Sequence, residues 1–231
     1  VIGTSQDDDV MVYEEEDHSF YMSLSKSRDE SLIFINLEAT EASDTWFIDA
    51  NEPDSEFNQL IDCLGSEYDD ELEGELESNL ENQELDGEAF EEEFDEEDDF
   101  VGHDSFIGHE YSVDKLGDTF YIVSNDNAKN FKVMTATKDT IYDVSQWETL
   151  IAHRDDVLIE DLELFNDYLI VVEREMGQIR FVIHPKNGDS YPINFDDPCY
   201  YACLADNPEP NSSNARIYYS MKKEFGLLKT L

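Results

Sequence analysis

Between Asp29 and Asp114 there is no lysine or arginine, so 86 consecutive residues carry formal charge of one sign only. The 231-residue chain has 14 basic side chains against 58 acidic ones, for a net charge of −44. That shortage removes the clustered Lys and Arg needed to neutralise phosphates and argues against nucleic acid as a partner. Basic peptides and divalent ions are the partners that electrostatics favours. Cysteine is scarce too. Cys63, Cys199 and Cys203 are odd in number and give no disulfide framework, which points to a reducing, cytoplasmic setting. Cys199 and Cys203 stand four apart, with no second Cys or His pair to complete a zinc site. No apolar run approaches the roughly 18 residues that span a bilayer, so no membrane segment is expected. The basic and apolar regions of a signal peptide are missing, and so is an initiator Met, which makes a segment of a longer protein the expectation. None of the ten glycines frames a serine as G-x-S-x-G, so there is no nucleophile elbow.

What is present is enough for a core: 40% hydrophobic and 12% aromatic residues. Short alternating runs, rich in β-branched and aromatic residues, dominate the chain outside its most acidic part. Before that part lie Phe20–Ser25, Ser31–Asn36, Thr45–Ile48 and Phe57–Ile61. After it come Glu110–Val113, Thr119–Ser124, Phe131–Thr135 and Trp147–Ile151, then Ile159–Phe165, Tyr168–Val172, Ile179–Ile183 and Tyr191–Phe195. Turn formers such as Lys115–Asp118, Asn125–Asn127 and Lys186–Asp189 separate them. The pattern predicts an all-β fold.

The runs repeat. Second strands beginning at 119 and 168 are 49 residues apart, and third strands beginning at 131 and 179 are 48 apart. Four strands in about 40 to 50 residues is the signature of a propeller blade. Ser31 precedes Thr119 by 88 residues, and removing one period of 49 leaves a surplus of 39. An insertion therefore lies between two blades. Its acidic body, Glu67 to Asp104, holds 20 carboxylates and reads as a disordered, self-repelling loop. Three organisational parts follow: residues 1–64 (the end of one blade, including a stray strand at Val10–Tyr13, plus one whole blade), 65–108 (the insertion) and 109–231 (two whole blades and a partial one). The sum is a partial β-propeller of about 3.5 four-stranded blades. Its open edges predict further blades beyond this chain.

The blade residues carry a family resemblance. Asp8–Glu15 with Phe20–Ser27, Glu110–Asp114 with Gly117-Asp118 and Phe120-Tyr121, Lys129–Lys132 and Trp147–Val157 resemble the propeller of the oligopeptidase B group in the prolyl oligopeptidase family of serine peptidases. So do Glu160-Asp161, Phe165, Tyr168-Leu169, Val171–Arg174 and Asp206–Glu209. The resemblance covers most of 1–64 and 109–221. It implies a seven-bladed propeller that restricts access to an α/β-hydrolase domain, whose Ser-Asp-His triad hydrolyses short peptides after Lys or Arg. The hydrolase domain has no counterpart in this chain and is the expected partner, with short basic peptides as substrates. The acidic insertion and the tail from Lys222 to Leu231 depart from the family pattern. The alternative is a free-standing acidic module that captures basic peptides or proteins.

No catalytic, cofactor-binding or metal-binding residue is assigned. The five histidines (His18, His103, His109, His153, His184) raise the question of a hidden triad, and His153 within His-Arg-Asp-Asp156 reads as a polar connection between blades. Asn82–Glu93 places Gly87 and Glu93 at EF-hand spacing, but Asn82 and Glu84 are poor ligands for its first and third positions. Leu72, Leu76 and Leu80 are spaced as one face of a helix. Asn211-Ser-Ser213 is a sequon that reads as a turn. Tyr121, Phe131, Phe165, Tyr168, Tyr191, Tyr200 and Tyr201 read as blade packing. Of the 58 acidic residues, 20 fall in the block and 38 outside it, so the acidity belongs to the surface as well as to the loop.

Overall fold

Alternation at a period of two gives each strand two faces, and a strand buried on both sides must have a neighbour on each. Four consecutive antiparallel meanders meet that requirement. A computed structural model of the chain describes residues 11–15, 17–40, 42–61 and 109–221, with the backbone of 227–230. These all belong to one unit, Val1–Ile61 with Ile107–Leu231, apart from Asp62–Phe106. The acidic insertion, the Leu72–Leu80 face, Asn82–Glu93, Cys63 and His103 lie outside the described residues.

The first blade is β1 (Tyr21–Lys26), β2 (Leu32–Glu38), β3 (Ser43–Asp49) and β4 (Asn58–Gln59). In the second are β5 (Tyr111–Leu116), β6 (Thr119–Ser124), β7 (Lys132–Thr137) and β8 (Glu148–Ile151). The third holds β9 (Val157–Leu164), β10 (Tyr168–Glu175), β11 (Gln178–Pro185) and β12 (Tyr191–Pro192), and the fourth β13 (Tyr200–Leu204), β14 (Arg216–Met221) and β15 (Leu227–Thr230). Within each sheet, neighbours in sequence are neighbours in space. Among the described residues the single helical turn is a 3-10 turn at Val144–Gln146.

The seams between blades carry the core. On β10, Ile170 and Val172 face the fourth blade and pack with Phe181 of their own blade and with Ala202, Ile217 and Tyr219. Val171, one residue out of phase, faces the second blade and packs with Val123, Val133 and Ile159. One strand thus serves two cores. Phe47 joins the first blade to the second through Phe120 (6.1 Å) and Tyr142 (6.0 Å). By contrast β1, at the start of the first blade, is exposed along all six residues.

Three details differ from the sequence expectation. Met11–Tyr13 form no strand; Tyr13 instead packs at a tilt against Trp46 of the first blade (5.6 Å) and donates to Glu15 Oε2 (2.8 Å). The fourth blade has three strands rather than two, because Leu227–Thr230 pairs with β14. Lys115 and Leu116 belong to β5, which leaves Gly117-Asp118 as the turn. The aromatic residues also divide. Phe165 is buried and Phe131 packs on the seam between the second and third blades, but Tyr191 and Tyr201 are largely exposed.

Candidate functional site

The first strands of three successive blades converge. Ser25 of β1, Ser112 and Asp114 of β5, and Asp161 and Leu162 of β9, with Tyr121 of β6, line a cavity of about 250 Å³. This is the inner edge of the propeller, since only strands nearest the axis can meet across three blades.

A bulge puts the carboxylates there. The pairing of β9 with β10 shifts at Val172/Glu173, so that Glu160 is an extra residue between the partners of those two. Val157 and Ile159 are buried before the bulge, whereas Leu162 and Leu164 take the packed side after it. Asp161 and Glu163 therefore turn away from the seam with the second blade. Arg174 anchors the bulge by donating from Nε to Glu160 Oε1 (2.6 Å) and from Nη2 to Oε2 (3.1 Å).

The β1–β2 turn supplies the counter-charge. Arg28 N–H donates to Asp114 Oδ1 (2.7 Å), and its Nε–H donates to the Leu164 carbonyl (2.8 Å). Nη2 lies 3.2 Å from Glu163 Oε1, and Cζ stands 5.3 Å from the centre of the Phe165 ring. Lys26 also lines the cavity, but its Nζ pairs with Glu30 (2.6 Å), which leaves Arg28 as the cation set against Glu163. Burial pushes the Glu163 carboxyl up to about 7; Arg28 opposes the rise, and Asp161, Asp114 and Asp206 add to it. Asp114 is pushed up to about 6 by burial, against the pull of the Lys115 and Arg28 N–H groups. Asp161 is raised for the same reason, with Glu160 adding.

Beside it, Asp29 behaves oppositely. Burial raises its carboxyl, but hydrogen bonds from Lys115 Nζ (2.8 Å), Ser31 and Ser27 outweigh it and hold the group well below the usual carboxylate range. Gly117 N–H donates to the same carboxylate (2.9 Å), which ties the turns of the first two blades together.

Several residues singled out in the sequence fall among the described ones and can be placed. His109 Nε2 lies 2.9 Å from Ser124 Oγ, but Ser124 is fully buried and also accepts from Asp126 N–H (3.1 Å), so no substrate carbonyl can reach it. The segment after His153 is a connection between blades. Asn130 donates to the carbonyls of Arg154 (3.0 Å) and Asp155 (2.8 Å), and Arg154 pairs with the buried Glu173 of β10. Among the described residues no group of three His, Cys, Asp or Glu is placed to hold a metal ion. Cys199 is exposed and Cys203 half-buried, and neither is in a disulfide. Asn211 is exposed within the Glu209–Ser212 turn. Among the described residues no helix is long and apolar enough to cross a membrane. Sequence reasoning missed Arg28 and the carboxylates opposite it; the available signals were Asp114, closing the family-like Glu110–Asp114 segment, and Asp161 inside the family-like Glu160-Asp161 pair.

Meanders of three or four strands, packed face to face in chain order with the first strands of three of them converging, define a partial β-propeller. The chain belongs to the prolyl oligopeptidase family: residues 1–80 and 101–222 match "Prolyl oligopeptidase, N-terminal beta-propeller domain". It is 31% identical over 221 residues to dipeptidyl aminopeptidase BI of Pseudoxanthomonas mexicana, covering 95% of this chain and 24% of that protein. Protease 2 of Moraxella lacunata is 22% identical over 231 residues, covering 98% and 27%. Among solved structures, oligopeptidase B from Leishmania major superposes with a TM-score of 0.74 at 17% identity, covering all of this chain and 28% of that one. Oligopeptidase B from Trypanosoma brucei gives 0.73 at 19% identity, again with 28% of its length covered. The chain thus spans about a quarter of the length of the relatives it matches.

Proposed function

We propose that the chain is the gating, non-catalytic propeller of a cytoplasmic serine endopeptidase of the oligopeptidase B type, which hydrolyses short peptides after Lys or Arg. In this reading the acyl-transfer chemistry belongs to a partner α/β-hydrolase domain. The propeller limits what reaches it, and the observation that carries the preference for basic peptides is the set of inner-edge carboxylates. Asp114, Asp161 and Glu163 are raised by burial, and Arg28 offsets that rise only in part at Asp114 and Glu163, so a cationic peptide side chain relieves their mutual repulsion. The wider negative field, with 58 acidic residues against 14 basic ones, concentrates such peptides before they enter.

The test uses the longer enzyme and matched short peptides carrying arginine or its neutral isostere citrulline at the cleaved position. We expect kcat/KM to favour arginine, to fall as ionic strength rises, and to lose part of that salt dependence in the Asp161→Asn/Glu163→Gln variant. Equal rates for the two peptides at every salt concentration would overturn the reading. A second reading, an exopeptidase that needs a free amino terminus, is favoured by the 31% identity to an enzyme named dipeptidyl aminopeptidase BI. Acetylating the peptide's amino terminus separates the two: cleavage survives only for the endopeptidase.

A further inference from the structure

The guanidinium of Arg28 lies in a cradle built by another blade. The Leu164 carbonyl accepts from Nε–H, the Glu163 carboxylate faces Nη2, and the Phe165 ring lies under Cζ. A planar guanidinium engages carbonyl and carboxylate with its edge while its face lies on an aromatic ring, an arrangement that a compact ammonium matches less well. The third blade holds them without help from Arg28. Phe165 is fixed by stacking on Tyr168 (4.4 Å) and by burial in the seam with the fourth blade. Leu164 is fixed by its pairing with Leu169. Arg28 belongs to the first blade and reaches the cradle past Asp114 of the second, so one side chain joins blades that are not neighbours in sequence.

We propose that this cradle is a guanidinium-binding site, filled in the resting protein by Arg28 as a clasp between the first and third blades, and open to exchange with the arginine side chain of a peptide ligand. That an arginine peptide is the natural occupant rests on the basic-peptide reading above; the site itself does not. Charge favours the exchange. Glu163 feels Asp161 on its own strand, Asp114 from the second blade and Asp206 from the fourth, opposed by Arg28 from the first. A second cation is attracted to such a group. One guanidinium replacing another keeps Glu163 covered, so the exchange avoids the cost of stranding a half-buried carboxylate. While the ligand is bound, the first blade is no longer held to the third through Arg28.

The test empties the cradle with Arg28→Ala in the full chain and uses millimolar methylguanidinium as the probe. We expect saturable binding by isothermal titration, a rise in Tm on binding, and affinity about tenfold weaker in the unaltered chain, where Arg28 competes. Methylammonium binds about tenfold more weakly than methylguanidinium to the emptied cradle, and Arg28→Ala/Glu163→Gln loses the discrimination. If Arg28→Ala does not fold, Arg28→Lys keeps the charge while withdrawing the planar fork, and gives the same readouts. No saturable binding in a folded variant, or binding indifferent to Glu163→Gln, overturns the proposal. Binding as expected, together with equal cleavage of arginine and citrulline peptides, keeps the site and removes the proposed substrate.

Discussion

Glu163 and Asp29 sit in one charge cluster and titrate in opposite directions, because one is buried faster than it is hydrogen-bonded and the other is not. Glu163, pushed up to about 7 by burial, binds a proton more tightly in the folded state than in the unfolded one. Its contribution to stability is therefore complete below its unfolded pKa and is lost as pH rises through about 7. Asp114, raised to about 6, acts in the same direction over a slightly lower window. Asp29, held low by Lys115, Ser31 and Ser27, contributes at neutral pH and loses its contribution only in acid. Glu163→Gln should therefore flatten the decline in urea midpoint between about pH 5 and about pH 8, leaving the acid limb unchanged. Asp29→Ala should cost about 1–3 kcal/mol at neutral pH, since it strands the half-buried Lys115 and several donors. A loss within error in urea titration would show the tie between the first two blades to be dispensable. None of this was legible in the sequence. Asp29, Asp114 and Glu163 are three among 58 acidic residues, and only their placement on a turn and two inner strands sets them apart.

Among the elements, turns carry the sharpest constraints. The β10–β11 hairpin turns on Met176 and Gly177, both with positive φ (47° and 80°), as two-residue hairpins of type I′ require. No atom lies within 4 Å of where a Cβ on Gly177 would sit, so the cost of Gly177→Ala is backbone strain alone, about 1 kcal/mol. Met176→Asn should offset it, because asparagine tolerates this conformation and Met176 is exposed; denaturant midpoints of the two single variants should move apart. Phe131 (φ 62°) sets two effects against each other. Glycine there would relieve about 1–2 kcal/mol of left-handed strain. It would also surrender packing on Val123 and Val133, worth about 1.5–3 kcal/mol. Phe131→Gly should therefore destabilise on balance, and a raised midpoint would mean the strain is the larger. Strand existence and the blade period were readable from alternation. The Glu160 bulge was not, since unbroken period-two alternation would set Asp161 and Glu163 on the same face as Ile159. Nor was Leu227–Thr230, which becomes a strand because β14 offers it an edge, whereas Met11–Tyr13 remains irregular and is held by Trp46.

For the whole molecule, charge and bare surface dominate. A net charge of −44 favours expansion through self-repulsion. Raising salt from about 0.01 M to about 0.15 M should raise Tm, most steeply at the low end where the Debye length is longest; a flat response would mean the charges are already compensated. Tyr21, Met22 and Leu24 leave the first blade with an exposed apolar strand, 83%, 54% and 72% accessible. Leu24→Ser should reduce self-association in light scattering with little change in Tm, because that side chain is not part of a core.

The shortage of basic residues determined, by itself, the sign of the field around this protein. The spacing of apolar runs determined that the chain folds as repeated blades with a surplus between two of them. Both are properties of composition and local period, which need no knowledge of what lies across a seam. Only the tertiary structure decided which few carboxylates matter and where the scarce arginine goes. A pKa is set by burial and by neighbours that lie 86 and 135 residues away along the chain, as Asp114 and Glu163 do from Arg28.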